Sequence, residues 1–302
     1  MKTLLSCIEN EISQEIEQQL LRSGLYFRIF SRVKTHSSLS AKIKNKGELY
    51  LRENKKMQDI IGVRVVLYFF NDLDIVHNYL CSLPNFLDKS VDPYNDTTFQ
   101  PTRLNLVFRM SEPHSAYMQA ALRSSDLSQN EKDLIDNTYE VQLRTVLSEG
   151  WHEVEHDLRY KFKDDAWWSY CSDDSRMLNG IYATLETSER AMLHMFASIT
   201  YKNYKNHDWA AMIRNHFCIH LKTNTLDPSL IALFNQNLNL PKQIIRIDRA
   251  NLIAKILAIN TPLPLTMSNL LFLINRWFLN KESIKKLETD AQTAILDRIT
   301  HN

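Results

Sequence analysis

The chain has 302 residues, 44% of them hydrophobic, enough for a real core in one large domain or two smaller ones. Charged residues make up 24% and the formal net charge is +1, which excludes a globally basic partner for nucleic acid or membrane; any cationic site must be local. The four cysteines, Cys7, Cys81, Cys171 and Cys218, form no C-x-x-C pair and are expected as reduced thiols of a cytoplasmic protein. The opening Met-Lys-Thr-Leu-Leu-Ser-Cys is faintly like a lipoprotein leader, but its apolar run is short and meets Glu9 and Glu11. Residues 261–279 are the longest apolar-rich segment. They are broken by Pro262, Pro264, Asn269, Asn275 and Arg276, so no membrane span and no membrane partner are expected.

In chain order, residues 5–23 read as a helix with Ile8, Ile12, Ile16 and Leu20 at four-residue spacing. Residues 26–34 alternate like a strand. Ser37 and Ser38 are placed to cap a helix that carries Lys42, Lys46 and Leu49. Residues 61–70 form a nearly continuous β-branched and aromatic run, the mark of a central strand. Asp72 is read as the cap of a helix to Leu80. Residues 84–102 read as irregular, strands follow at 103–109 and 138–145, and a polar insertion fills 112–137. After Thr145 a helical stripe of Leu147, Trp151, Val154 and Leu158 is expected to be buried. The remainder reads as helices, interrupted near 223–228 and 260–265. Mixed strands and helices followed by helices alone predict an α+β unit over residues 1–175 and a helical region over 176–302. The five glycines do not cluster, which excludes a Gly-rich phosphate loop.

Three short stretches carry the chemistry. Arg32 and Lys34 lie two apart on a strand, and Ser38 and Lys42 lie four apart on the following helix, so each pair shares a face. Asp59 stands at the entrance of the apolar strand that holds Arg64. Glu140, Gln142 and Arg144 alternate with Val141 and Leu143, which puts the three polar side chains on one side. Cations for a polyphosphate and two separated carboxylates for a metal suit phosphoryl-type transfer. The plain alternatives are a solvated basic helix and a Glu140–Arg144 pair on an exposed sheet surface.

Taken together, Arg32-x-Lys34-x3-Ser38-x3-Lys42, Asp59-Ile-Ile-Gly-Val-Arg64, Glu140-Val-Gln-Leu-Arg-Thr145 and Trp151-x4-His156-x3-Tyr160-Lys161 resemble the synthetase domain of the RelA/SpoT proteins, which make guanosine tetra- and pentaphosphate. The resemblance covers residues 26–165. It implies a nucleotidyltransferase-like fold, with a mixed, mostly antiparallel sheet flanked by helices. It also implies a pyrophosphokinase that moves the β,γ-diphosphate of ATP to a ribose 3′-hydroxyl. On that resemblance Arg32, Lys34, Ser38, Lys42 and Arg64 bind ATP. Asp59 and Glu140 hold Mg²⁺, and Glu140 also takes the proton of the attacking hydroxyl. Gln142, Arg144 and His156 act as supports.

One stretch departs from the family. Where its members carry Gly-Tyr-x-Ser-Leu/Ile-His, this chain has Phe99-Gln100-Pro101-Thr102-Arg103-Leu104-Asn105, with Pro101 at the tyrosine position and Asn105 at the histidine position. Proline offers no π-face to a guanine. The departure favours the branch of small toxic members that pyrophosphorylate the 3′ CCA end of tRNA, with an antitoxin partner, over one that uses GDP or GTP. Lys42, Lys44, Lys46, Arg52, Lys55 and Lys56 against Glu48 and Glu53 form a stripe that suits phosphates. Two competing readings are a zinc metalloprotease, from His152-Glu153-Val154-Glu155-His156, and a nucleotide-binding pseudoenzyme. Intact Asp59 and Glu140 argue against the second.

Overall fold

The computed structural model describes residues 2–53, 55–92, 99, 104–159, 170–259 and 262–300. The chain falls into two compact units, one of residues 1–18 and 27–186, the other of residues 19–26 and 187–302.

The first unit is built on a five-stranded sheet of order β1-β2-β5-β4-β3, with β1 Phe27–Val33, β2 Ile61–Leu67, β3 Phe86–Val91, β4 Leu104–Arg109 and β5 Thr138–Thr145. It is mixed and mostly antiparallel: only β2 and β5 run parallel. Alternation in β5 separates two faces. Tyr139, Val141 and Leu143 are buried and Glu140, Gln142 and Arg144 are half-buried. On the apolar face Phe108 stacks on Tyr139 at 5.3 Å between ring centres, and Phe86 meets Phe108 edge-on at 5.8 Å. Helix α1 (Lys2–Leu21) buries Ile8, Ile12, Ile16 and Leu20, the stripe expected from their spacing.

Several local expectations are corrected. Helix α2 (His36–Arg52) is capped by Thr35, whose hydroxyl accepts from the Ser38 amide at 3.2 Å, rather than by Ser37 or Ser38. Asn71 holds the cap position of α3 (Asp72–Cys81), and Asp72 is its buried first residue. The stretch read as irregular contains β3, an exposed edge strand that pairs only with β4. The polar insertion holds two helices, α4 (Glu112–Arg123) and α5 (Gln129–Asp133), each started by a serine cap.

Helix α6 (Val146–Leu158) buries Trp151, while Val154 and Leu158 are exposed, so the expected stripe narrows to one aromatic anchor. Trp151 Nε1 donates to the Leu178 carbonyl at 2.9 Å, and its ring lies 5.0 Å from Tyr182 on helix α7 (Ser172–Lys205). Trp151→Ala removes both the packing and the hydrogen bond. It is expected to cost about 3–5 kcal/mol, read as a shift of the denaturant midpoint.

The second unit is helical, with α8 Trp209–Phe217, α9 Pro228–Gln236, α10 Asn239–Ile244, α11 Arg249–Ala258, α12 Met267–Ile274, α13 Glu282–Lys285 and α14 Asp290–Thr300. Gly24 adopts φ +70, and a Cβ there would meet the His220 carbonyl at 2.6 Å; this turn accepts only glycine. Arg276 holds the fully buried Glu288 through Nε at 3.2 Å and Nη2 at 2.6 Å, and Asp297 through Nη1 at 2.6 Å. Among the described residues no helix is long and apolar enough to cross a membrane.

Candidate active site

Register assembles the polar side of the sheet. Residues paired across neighbouring strands point the same way, so one row runs Arg32, Gly62, Glu140, Val107 and the next runs Phe30, Arg64, Gln142, Asn105. Adjacent strands lie about 4.8 Å apart. Gly62 therefore leaves a gap without a side chain between Arg32 and Glu140, and a Cβ built there meets nothing within 4 Å. The sequence-predicted Arg32, Arg64, Glu140, Gln142, Arg144 and Asn105 thus share one face.

A second cluster forms at the start of β2. Lys34 Nζ and Lys42 Nζ both donate to Asp59 Oδ2 at 2.7 Å. The strand register brings this about: the Lys34 amide donates to the Ile60 carbonyl at 2.8 Å, extending the β1–β2 pairing toward Asp59. The other carboxylate oxygen, Asp59 Oδ1, is buried with no hydrogen-bond partner. Burial pushes the Asp59 carboxyl up, but hydrogen bonds from the two ammonium groups outweigh it and hold it below the usual carboxylate range. Burial lowers Lys34, and repulsion from Lys42 adds to that; the Asp59 contact does not fully offset them. Lys42 also suffers burial, yet Asp59 and Tyr50 carry it above its ordinary value.

The third group links sheet and helix. Gln142 Nε2 donates to Glu140 Oε1 at 2.6 Å, and Arg64 Nε donates to Gln142 Oε1 at 3.3 Å. Arg64 Nη1 also contacts Glu149 and Glu153 on α6. Arg144 Nε lies 3.5 Å from Glu149 Oε2. The Glu140–Arg144 pair considered from sequence is replaced by Glu140–Gln142 and Arg144–Glu149. Burial opposes the charge on Arg64, but the two carboxylates raise it above its ordinary value. Arg144 is lowered by burial and then by the nearby Arg64.

The remaining predicted residues fall as follows. Ser38 is exposed in the first turn of α2, its Oγ accepting from Thr35 Oγ1 at 2.9 Å. His156 lies at the exposed end of α6, with Nδ1 2.9 Å from Asp157 Oδ1. Phe99 is exposed. Pro101, Arg103, Tyr160 and Lys161 lie outside the described residues. Within His152–His156, Glu153, the base that a protease would need, is an ion-pair partner of Arg64. A catalytic zinc takes three protein ligands, and among the described residues no three His, Cys, Asp or Glu side chains gather.

Glu149 has no place in the sequence reading, and Glu153 enters it only as part of the His152–His156 motif, not as a partner of Arg64. Their signal is an i, i+4 acidic pair in a helix that begins directly after β5 at the Thr145 cap.

Residues 31–165 match the family described as "Region found in RelA / SpoT proteins". The GTP pyrophosphokinase YjbM of Bacillus subtilis (strain 168) is 27% identical over 134 residues, 44% of this chain and 56% of that protein, so the chain spans little more than half of that curated relative. The structure of small alarmone synthetase 1 from Bacillus subtilis is 18% identical, covering 64% of this chain and 91% of its own, with a TM-score of 0.45. That of small alarmone synthetase 2 from the same organism is 19% identical, covering 64% and 92%, with a TM-score of 0.42. The motifs around Lys34, Asp59 and Glu140 thus lie within the stretch, residues 31–165, that matches the region found in RelA / SpoT proteins.

Proposed function

We propose that the chain is an ATP-dependent pyrophosphokinase that transfers the β,γ-diphosphate of ATP to a ribose 3′-hydroxyl. The observation that carries this reading is the common placement of Arg32, Arg64, Glu140 and Gln142 on one sheet face, next to the Lys34–Asp59–Lys42 cluster. In the reaction the 3′-oxygen bonds to the β-phosphorus, the bond from that phosphorus to the α-phosphate oxygen breaks, and AMP leaves. Lys34 and Lys42 neutralise the charge on the transferring group, and Arg32 and Arg64 hold the nucleotide. Glu140 accepts the proton of the attacking hydroxyl, with the Gln142 amide orienting its carboxylate.

Mg²⁺ fits this site. Asp59 offers a buried oxygen without a hydrogen-bond partner, and magnesium needs only one or two protein carboxylates, with phosphates and water completing its shell. Asp59 and Glu140 would hold it, and it would supply charge neutralisation at the phosphates.

The acceptor has two readings. The curated relative is named a GTP pyrophosphokinase, which supports GDP or GTP and (p)ppGpp as product. A tRNA 3′ end is favoured by Pro101 in the acceptor stretch and by charge. Residues 187–302 hold a clear excess of lysine and arginine over acids, while the rest of the chain compensates with acid. On that reading the protein is a cytoplasmic toxin with an antitoxin partner. The test supplies γ-labelled ATP with GDP, GTP, ADP or tRNA. Label in tRNA is the expected result; label in guanosine nucleotides alone overturns the tRNA reading and keeps the pyrophosphokinase; label in none overturns both.

A further inference from the structure

Arg64 and Arg144 are two guanidinium groups on neighbouring strands of one face, both largely withdrawn from water. Like charges so placed need a shared counter-ion. Glu149 is that group. Its Oε1 takes Arg64 and its Oε2 faces Arg144, and its side chain is only 14% exposed. Glu153 adds a second contact to Arg64 but is 57% exposed, so water screens it. Glu149 Oε2 is buried and accepts no hydrogen bond, leaving its attraction to Arg144 electrostatic.

The consequence reaches Glu140. A glutamine amide can present either its carbonyl or its NH2 group to a neighbour. At Gln142 the Arg64 Nε occupies the carbonyl, so only the NH2 group is left for the Glu140 carboxylate. If Arg64 drifts, the amide is free to turn, and its carbonyl then faces a carboxylate and repels it.

We infer that Glu149 is a positioning residue that fixes the orientation of Glu140 through Arg64 and the Gln142 amide. This rests on the reading of Glu140 as the proton acceptor in the proposed function. The chain of contacts runs from helix to sheet in three steps, Glu149 to Arg64, Arg64 to Gln142 and Gln142 to Glu140, and each is a polar contact between side chains that can be cut singly.

The test is a double-mutant cycle on kcat at saturating ATP, using the full chain. Glu149→Gln keeps the shape and removes the charge. It is expected to lower kcat about 10²-fold, the effect of a small misplacement of a reacting group; KM for ATP rises as well, because Arg64 also holds the nucleotide, and the kcat loss alone reports the path to Glu140. In a Gln142→Ala background the same substitution is expected to change kcat less than about two-fold, because the path is already cut. Glu153→Gln is expected to give a smaller loss than Glu149→Gln. If Glu149→Gln fails to fold, Glu149→Asp carries the cycle: it keeps the charge but withdraws it from Arg64, and its loss must also vanish in the Gln142→Ala background. Equal fold-losses in both backgrounds overturn the inference while leaving the pyrophosphokinase intact. A parent chain that transfers no diphosphate to any acceptor overturns the proposed function and this role with it.

Discussion

Glu140→Gln is expected to lower kcat for diphosphate transfer by about 10²–10⁴-fold, the usual contribution of a positioned general base, while the protein stays folded and still binds nucleotide. The environment makes this a clean substitution. Glu140 Oε1 accepts from Gln142 Nε2, and the carbonyl oxygen of a glutamine at position 140 accepts the same bond. Gly62 beside it leaves room, so the new amide meets no steric conflict. What is lost is the ability to take a proton. Two measurements separate the possibilities: label transfer from γ-labelled ATP under single-turnover conditions, and the thermal midpoint with and without a non-hydrolysable ATP analogue. A variant that transfers label as fast as its parent removes Glu140 from the mechanism. A variant that loses both transfer and the nucleotide-induced rise in midpoint assigns Glu140 to binding instead.

The two strands that carry the acids were legible because their patterns are strong. Period-two alternation over Glu140–Thr145 fixes which side chains share a face, and the continuous Ile61–Leu67 run marks a strand covered on both sides by neighbours. Other elements depend on partners that the local sequence does not reveal. Strand β3 is polar at Asp88, Lys89 and Ser90, and it exists because β4 offers it an edge. Helices α4 and α5 do carry local signals, the Ser111 cap with Pro113 after it and the Ser128–Glu131 capping box, but the polar composition around them reads as loop.

Helix α6 shows the opposite failure. A helical period was present, but exposed Val154 and Leu158 show that an apolar residue at the right spacing is not thereby buried. At the site, sequence separated the cations from the acids by presumed ligand. The structure pairs them with each other first: Lys34 and Lys42 with Asp59, and Arg64 and Arg144 with Glu149. The reason is electrostatic. Charges withdrawn from water need a partner of opposite sign within the fold.

That pairing gives the second large effect a distinctive sign. Asp59→Asn should abolish Mg²⁺-dependent transfer, because the residue proposed to hold the metal loses its charge, yet it should strengthen binding of metal-free ATP. In the parent a triphosphate must compete with Asp59 for Lys34 and Lys42; in the variant the two ammonium groups repel each other until a polyanion arrives. The nucleotide-free variant should lose about 2 kcal/mol of stability, less than the penalty for breaking a fully buried pair because these side chains keep partial exposure. The pH dependence follows from the depressed Asp59 carboxyl. Its contribution is fully present above the ordinary value of 3.8 and disappears as pH falls through the lower folded value. The stability gap between parent and variant should therefore be constant near neutrality and close below about pH 4, the range set by this linkage. Calorimetry with ATP in chelator, and again with Mg²⁺, reads both signs directly. Weaker metal-free binding in Asp59→Asn would show that the carboxylate helps to grip the nucleotide rather than competing for its ligands.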